Sequence, residues 1–247
     1  MMLNKTTRSG LLMCGLMVSQ LATAGITMDR TRIIFEGDKT SMTLNIGNNN
    51  QSLPYLAQGW LENSEGKKVN SPLVVLPPVQ RLEPGKTSQI KIEALPVTAS
   101  SLPQDRESLF YFNLREIPPK SDKANVLQVA LQTRVKLFYR PKAIIPADNS
   151  EPAINQLTLD KSGSQAVVKN PTPYYVTVIN AFSPTLKGDA NSFAPVMIAP
   201  FGQESLGVSS AQLGNNPTLI TINDYGGRPE LSFTCQGSAC HVASEKS

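Results

Sequence analysis

Histidine and cysteine are scarce in this chain, and their scarcity argues against most classes of catalytic and metal site. One histidine and three cysteines occur among 247 residues. A single histidine, His241, argues against most zinc sites and catalytic triads, which combine histidine with several further ligands or with a nucleophile. No glycine-rich loop precedes a predicted helix, so a phosphate-binding loop is not expected either. We therefore expect a protein that is not an enzyme and that uses no cofactor.

Long apolar runs and basic tracts are also missing. The longest early apolar run, residues 11–18, is too short to span a bilayer. It follows Lys5 and Arg8 and precedes the small residues 22–24, which is typical of a cleaved signal peptide over residues 1–24. Without those two cations the net charge falls from +4 to +2. We expect neither nucleic-acid binding nor membrane insertion.

The cysteines indicate an oxidising compartment. The mature chain retains only Cys235 and Cys240, with four residues between them. A disulfide that pins the last predicted hairpin is the simplest interpretation. A metal site completed by His241 is an alternative, with too few ligands at an unusual spacing. Cys14 lies inside the predicted signal peptide, where lipid attachment is a further alternative that the bulky residues before it disfavour.

Alternating polar and apolar residues separated by turn signals predict strands throughout the mature chain. About seven strands fill residues 25–140, including one continuous strand over residues 25–35, and shorter strands follow from residue 153. Several prolines lie between the two sets, and no helical periodicity persists for three turns. We predict an all-β protein with sandwich domains at 25–144 and 153–247, joined by a linker at 145–152. Trp60 is expected in the core of the first sandwich.

The clearest single pattern is NVLQVALQTRVKLFYRP, residues 125–141. Leu127, Val129 and Leu131 share one parity, whereas Lys136 lies on the other. Such alternation predicts a long, half-buried strand, longer than the usual five or six residues. A strand that extends past its own domain can pair with another protein and offer it alternate side chains. Lys136, near the strand's end, is a candidate site for an anionic group.

Several long blocks resemble one known family. They are DRTR at 29–32, LPYLAQ at 53–58, PPVQRLEPG at 77–85, LPQDRESLFYFNLREIPP at 102–119, KANVLQ at 123–128, KLFYRP at 136–141, NPTPYYVTV at 170–178 and INDYGGRP at 222–229. With these blocks the mature chain closely resembles the periplasmic chaperones of chaperone–usher pilus assembly. The resemblance is weaker over residues 186–216.

The resemblance implies a boomerang of two immunoglobulin-like β-sandwich domains with an interdomain cleft. Such chaperones bind a pilus subunit that lacks its last strand and lend it one of their own. By motif, the donor residues are Leu127, Val129 and Leu131. The C-terminal carboxylate of the subunit would be held in the cleft by Arg32, the last residue of DRTR, and by Lys136, the first of KLFYRP.

The resemblance also implies a second group of residues and a set of partners. Glu107, Arg140 and Asp224 fall at the positions of an interdomain salt bridge, and Pro54 is a candidate gating proline. Pilin subunits, a tip adhesin and an outer-membrane usher are the expected partners in the periplasm. A self-capping homodimer is expected when no subunit is present.

Other interpretations remain open at this point. Without the resemblance, Leu127, Val129 and Leu131 would be ordinary core residues, and the cations would be solvated surface charges. A pilus subunit would carry its donor segment at the mature N-terminus, and a secreted binding module would need no carboxylate site. The opposite parity of Lys136 requires a bulge, a strong twist, or access around the end of the strand.

Overall fold

The structure, a computed structural model, describes residues 25–122, 125, 127–147, 150, 152–183 and 193–243. The predicted signal peptide lies outside these residues. Within them, the strands are β1 Ile26–Met28, β2 Arg32–Glu36, β3 Ser41–Asn48, β4 Tyr55–Asn63, β5 Lys68–Val69, β6 Leu73–Leu76, β7 Val79–Leu82, β8 Thr87–Ala94, β9 Ser108–Ile117, β10 Gln132–Arg140, β11 Thr158–Asp160, β12 Gln165–Lys169, β13 Val176–Phe182, β14 Val196–Ile198, β15 Gln203–Ser209, β16 Thr218–Thr221, β17 Glu230–Gln236 and β18 Ala239–Val242. The helical turns are α1 Thr98–Ser101, α2 Ser210–Leu213 and the 3-10 turns Lys142–Ile144 and Ala153–Gln156.

Two sheets form the N-terminal domain in the described residues. One has the strand order β1-β3-β8-β6, and the other has β2-β10-β9-β4-β5 with β7 paired to β4. Leu44 and Ile90 from the first sheet and Phe112 and Leu137 from the second are completely buried in one shared core. Sheets that bury alternate side chains against each other form a β-sandwich.

The predicted strand over residues 25–35 is two strands in the structure. β1 pairs antiparallel with β3 in one sheet, whereas β2 pairs parallel with β10 in the other. The chain therefore passes from one sheet to the other at residues 29–31. The prediction of one continuous strand was wrong because alternation continues through the crossing, although the neighbouring strand changes. The crossing places Arg32, the first residue of β2, beside β10.

The predicted long strand is paired only over its second part. β10 begins at Gln132, opposite Arg115 of β9, and one further backbone bond joins the N–H of Glu116 to the carbonyl of Leu131 at 3.0 Å. β9 ends at Ile117, so the segment before Leu131 extends past its neighbour. The prediction of a strand from residue 125 was wrong for this segment, because a paired strand needs a neighbour as well as the alternating pattern.

Trp60 is covered by protein but lies on the outer face of its sheet. In β4, Ala57 and Leu61 belong to the core, and a Cβ atom on Gly59 would contact core side chains. Trp60 has the opposite parity, and its ring is covered by the guanidinium of Arg115 at 5.1 Å. Trp60 is therefore buried as expected, but on the outer face of the sheet and not in the cluster between the two sheets, because parity decides the face on which a strand residue lies.

The C-terminal domain has the strand order β14-β13-β16-β17-β18-β11-β12-β15 in the described residues. β17 connects its two halves, since its first residues pair with β16 and its later residues pair with β18. The core contains Leu159, Val168, Val178 and Phe233, all at most 2% exposed. The prediction of an all-β fold with two immunoglobulin-like sandwiches is confirmed.

Candidate functional site

The two cations singled out by the sequence lie side by side. β2 and β10 run parallel, and their register places Lys136 directly opposite Arg32. Residues opposite each other on neighbouring strands project from the same face of the sheet. That face is turned to the C-terminal domain, because Lys136 Nζ donates to Thr177 Oγ1 at 3.3 Å and Arg32 Nη1 donates to the Ile222 carbonyl at 3.3 Å.

Neither cation forms a salt bridge with an acidic side chain in the part of the chain that the structure describes. Both side chains are half-buried, and Arg32 Nε is buried without a hydrogen-bond partner. Burial lowers the pKa of Arg32, and the charge of Asp224 acts in the opposite direction. Burial also lowers the pKa of Lys136, and the neighbouring charge of Arg32 lowers it further. Two adjacent like charges in this setting favour the binding of an anion.

An open cavity of about 730 Å³ lies beside Arg32. Its lining also includes Asp29, Glu36 and Arg140 of the N-terminal domain, residues 145–147 of the predicted linker, and Asp224 and Tyr225 of the C-terminal domain. Residues of both domains therefore border the same space. The guanidinium of Arg32 can be reached by a ligand from this side.

A buried arginine joins the two domains. Arg140 donates to Glu107 Oε1 from Nε at 2.9 Å and from Nη2 at 2.7 Å, and its Nη1 lies 2.8 Å from Asp224 Oδ2. The side chains of Arg140 and Glu107 are 8% and 2% exposed. The remaining carboxylate oxygen of Glu107 accepts the backbone N–H of Tyr175 at 2.8 Å. These contacts join the residue before β9, the last residue of β10 and the C-terminal domain at one point.

The pKa values of this group reflect its burial. Burial raises the pKa of Glu107, although the charge of Arg140 and the N–H of Tyr175 act to lower it. Burial disfavours the charged form of Arg140 as well, but its bonds to Asp224 and Glu107 outweigh this and raise its pKa. Arginine remains charged at physiological pH. The two domains are therefore connected by a permanent charge between two carboxylates.

The three candidate donor residues are exposed rather than buried. Leu127 is 87% exposed, Val129 58% and Leu131 46%. Apolar side chains with such exposure form no part of either core. The alternative that they are ordinary core residues is therefore excluded. The row ends just before β10 begins at Gln132, and the first buried residue of β10 is Val135.

The opposite parity of Lys136 needs no bulge within the paired part of β10. The register of β10 with β9 runs without a break from Gln132 to Tyr139. Lys136, Phe138 and Arg140 alternate with core residues and face the C-terminal domain, where Phe138 stacks on Tyr175 with ring centroids 5.3 Å apart. In this part of β10 the even-numbered residues therefore meet the second domain, whereas the odd-numbered residues from Val135 onward lie in the core of the first.

The remaining candidate residues from the sequence are Pro54 and the two cysteines. Pro54 is partly buried and directly precedes β4. Cys235 and Cys240 form a disulfide between directly opposite residues of β17 and β18. In the described residues no group of three or more His, Cys, Asp or Glu side chains is placed to hold a metal ion. No helix in those ranges is long and apolar enough to cross a membrane.

Sequence reasoning missed the neutral residues that receive the cations. Thr177 and the carbonyl of Ile222 are hydrogen-bond acceptors from the C-terminal domain, and Tyr175 supplies both an N–H and a ring. Thr177 and Tyr175 lie in the block NPTPYYVTV, and Ile222 begins INDYGGRP. The resemblance of these two blocks to the chaperone family was the signal in the sequence that could have pointed to these residues. It did not indicate which of them contact the cations.

Two family models match the chain. The model described as "Pili and flagellar-assembly chaperone, PapD N-terminal domain" matches residues 25–145. The model described as "Pili assembly chaperone PapD, C-terminal domain" matches residues 152–233. The chain belongs to the PapD family of pilus-assembly chaperones. The family expected from the sequence is thereby confirmed.

Individual members of the PapD family are similar to this chain along most of their length. The chaperone protein PapD of Escherichia coli is 53% identical over 226 residues, which cover 91% of this chain and 92% of that protein. The chaperone protein PmfD of Proteus mirabilis (strain HI4320) is 45% identical, with coverage of 89% and 87%. The crystal structure of the periplasmic chaperone SfaE matches with a TM-score of 0.67 at 32% identity, covering 84% of this chain and 98% of that one.

Proposed function

We propose that this chain is a periplasmic chaperone that captures pilus subunits by lending them a strand and delivers them to an outer-membrane usher without ATP. One observation carries the proposal. Arg32 of β2 and Lys136 of β10 are adjacent, half-buried cations that form no salt bridge in the described residues, and an exposed apolar row directly precedes β10. Within the chain both cations donate to neutral acceptors of the C-terminal domain, and no salt bridge among the described residues balances their charges.

The cations are suited to a carboxylate. Arginine binds carboxylates through a two-pronged fork, and lysine adds a compact point charge with rotatable donors. A free peptide C-terminus supplies such a carboxylate at a fixed distance from its last side chains. The unpaired Arg32 Nε and the lowered pKa of Lys136 would both be compensated by the bound anion. The carboxylate would also fix the register of the strand that leads to it.

The apolar row suits the rest of the pilus subunit. A sandwich that lacks a strand exposes unpaired backbone groups and an apolar groove, which makes it prone to aggregation. The segment that contains Leu127, Val129 and Leu131 extends past β9 and offers backbone groups for pairing. Residues two apart point to one side, so all three can enter the groove. A slip of one residue in the pairing register would turn these three side chains away from the groove. A carboxylate held at a fixed position would prevent such a slip.

The interdomain group would set the geometry of the cleft. Arg140, Glu107 and Asp224 connect the domains at the end of β10, the strand that carries Lys136 and that the donor row directly precedes. Pro54 is proposed as the gating proline. The proposed partners are pilin subunits, a tip adhesin and the usher, with a self-capped homodimer in their absence. The disulfide between Cys235 and Cys240 suits the oxidising periplasm, and the relatives are chaperones, so no catalytic step is proposed.

Co-expression with pilus subunits of the same host tests the proposal. The wild-type chain should yield a soluble one-to-one complex in the periplasm, and Arg32→Ala should lose it while remaining folded. Arg30→Ala is the matched control, because Arg30 lies in the same segment but is exposed and paired with Asp29 at 3.2 Å. Equal yields from Arg32→Ala and Arg30→Ala would reject the carboxylate site. Absence of any complex between the wild type and a pilus subunit would reject the proposed function as a whole.

A further inference from the structure

We propose that Arg106 and Phe201 form a second connection between the domains, one that restricts the cleft to the geometry needed to capture a pilus subunit. The two residues act as positioning residues, since neither reaches the cations. The consequence for capture rests on the proposed function. The connection itself is a property of the free chain and can be tested without any pilus subunit.

The contact joins two loops from different domains. Arg106 lies in the loop before β9, and Phe201 lies in the turn between β14 and β15. The guanidinium carbon of Arg106 is 5.0 Å from the centroid of the Phe201 ring. A cation at this distance from an aromatic ring is attracted by the electron density of the ring face. Asp105 accepts from Arg106 Nε at 3.0 Å and from Nη2 at 2.6 Å, which limits the orientations open to the guanidinium.

The backbone of Phe201 supports a specific role for its ring. Its φ angle is 56°, in the left-handed region that residues with a side chain rarely adopt. The side chain is 50% exposed, so burial in the domain core does not explain why an aromatic residue stands there. Its N–H donates to the carbonyl of Thr172 at 3.1 Å, which keeps the turn in this conformation. A strained residue held in place by its surroundings indicates a local function.

The turn that carries Phe201 belongs to a hydrogen-bonded block at the domain boundary. The side-chain amide of Asn170 donates to the carbonyls of Tyr174 and Ala199 at 2.7 and 3.0 Å. The next segment of this block meets the N-terminal domain, where the N–H of Glu107 donates to the carbonyl of Pro173 at 2.9 Å. Phe201 is therefore fixed relative to the residues that receive Glu107. Its contact with Arg106 can resist domain rotation separately from the ion pair of Arg140 with Asp224.

A double-mutant cycle on the interdomain distance tests the connection. Nitroxide labels on cysteines introduced at the exposed positions Thr43 and Ser164 report one distance between the domains by pulsed electron paramagnetic resonance. Arg106→Ala and Phe201→Ala should each broaden the distance distribution, and the double variant should be no broader than either single variant. Arg106→Lys should keep the narrow distribution, because it retains the cation.

Arg115→Ala is the matched control, because it removes a contact between an arginine and an aromatic ring that does not join the domains. Arg115 stacks on Trp60 at 5.1 Å, but both residues belong to the N-terminal domain. This variant should leave the interdomain distance unchanged. Broadening equal to that of Arg106→Ala, or independent additive effects of Arg106→Ala and Phe201→Ala, would overturn the proposal.

The effect on capture is measured separately. Loss of one exposed cation–π contact should speed dissociation of a purified chaperone–pilin complex by about two- to fivefold. A broadened distance distribution with unchanged dissociation would overturn the role in capture. If Arg32→Ala also captures pilins normally, the proposed carboxylate site is rejected. The interdomain distance measured on the free chain does not depend on that result. The two failures are therefore distinguishable.

Discussion

Removal of the Lys136 charge is expected to stabilise the free chain and to abolish the capture of pilus subunits at the same time. The change Lys136→Met retains the apolar stem and removes one of two adjacent half-buried cations. Relief of the like-charge repulsion should contribute on the order of 1 kcal/mol, because solvent screens charges that are only half-buried. The lost hydrogen bond to Thr177, long at 3.3 Å, should cost less than about 1 kcal/mol. The expected net gain is at most about 1 kcal/mol.

Urea unfolding followed by the fluorescence of Trp60 measures this gain. Trp60 is the only tryptophan of the chain and reports on the N-terminal domain. The folded-state pKa of Lys136 lies below its ordinary value of 10.5, so the unfolded state binds more protons between those two values. Wild-type stability therefore rises with pH across that window. The advantage of Lys136→Met should shrink as the pH approaches 10.5, because Lys136 loses its proton more readily in the folded state than in the unfolded state.

An exposed lysine supplies the control. Lys86→Met should change the free energy of unfolding by less than about 0.5 kcal/mol at every pH, as for most surface substitutions. The reasoning is refuted if Lys136→Met destabilises the chain by more than about 1 kcal/mol, or if its effect is the same at neutral and alkaline pH. Either result would mean that the charge of Lys136 is already compensated in the free chain.

Three further changes test other parts of the account. Arg140→Met should destabilise the chain by about 3–5 kcal/mol in urea unfolding, because it leaves a buried carboxylate unpaired, whereas Arg81→Met in an exposed ion pair should cost less than about 1 kcal/mol. Val129→Ser should leave the urea midpoint unchanged, since the side chain is 58% exposed, but should reduce the yield of co-purified pilin; an undiminished yield would contradict the donor role. Alanine at both Cys235 and Cys240 should destabilise the C-terminal domain by about 2 kcal/mol in thermal unfolding, because the loop is short, without altering the tryptophan signal.

Alternation predicted which side chains are buried better than it predicted which strands pair. Val135, Leu137 and Tyr139 are buried as their parity requires. The same pattern extends back to Leu127, where the side chain is 87% exposed and none of the described strands lies alongside. Alternation with a period of two indicates which residues lie on each face of an extended segment. It does not indicate whether another strand pairs with that segment. The division of the predicted first strand between two sheets could not be predicted for the same reason.

The candidate site depends on contacts between residues distant in the sequence. Arg32 and Lys136 meet through the parallel register of β2 with β10, which only the resemblance could bring together in advance. Their acceptors Thr177 and Ile222 are neutral and carry no chemical signature in the sequence. Phe201 lies in the stretch where the resemblance is weak, so its contact with Arg106 could be found only in the folded structure.

Binding of a pilin's C-terminal peptide as free acid and as amide tests the central claim most directly. The peptide would match the last residues of a pilin from the same host and would be titrated calorimetrically into the wild-type chain and into Arg32→Ala. We predict that the wild type binds the acid at least about tenfold more tightly than the amide, and that Arg32→Ala loses most of this preference, as expected for a buried charged contact of about 2–5 kcal/mol. Equal binding of acid and amide by the wild type would contradict the account.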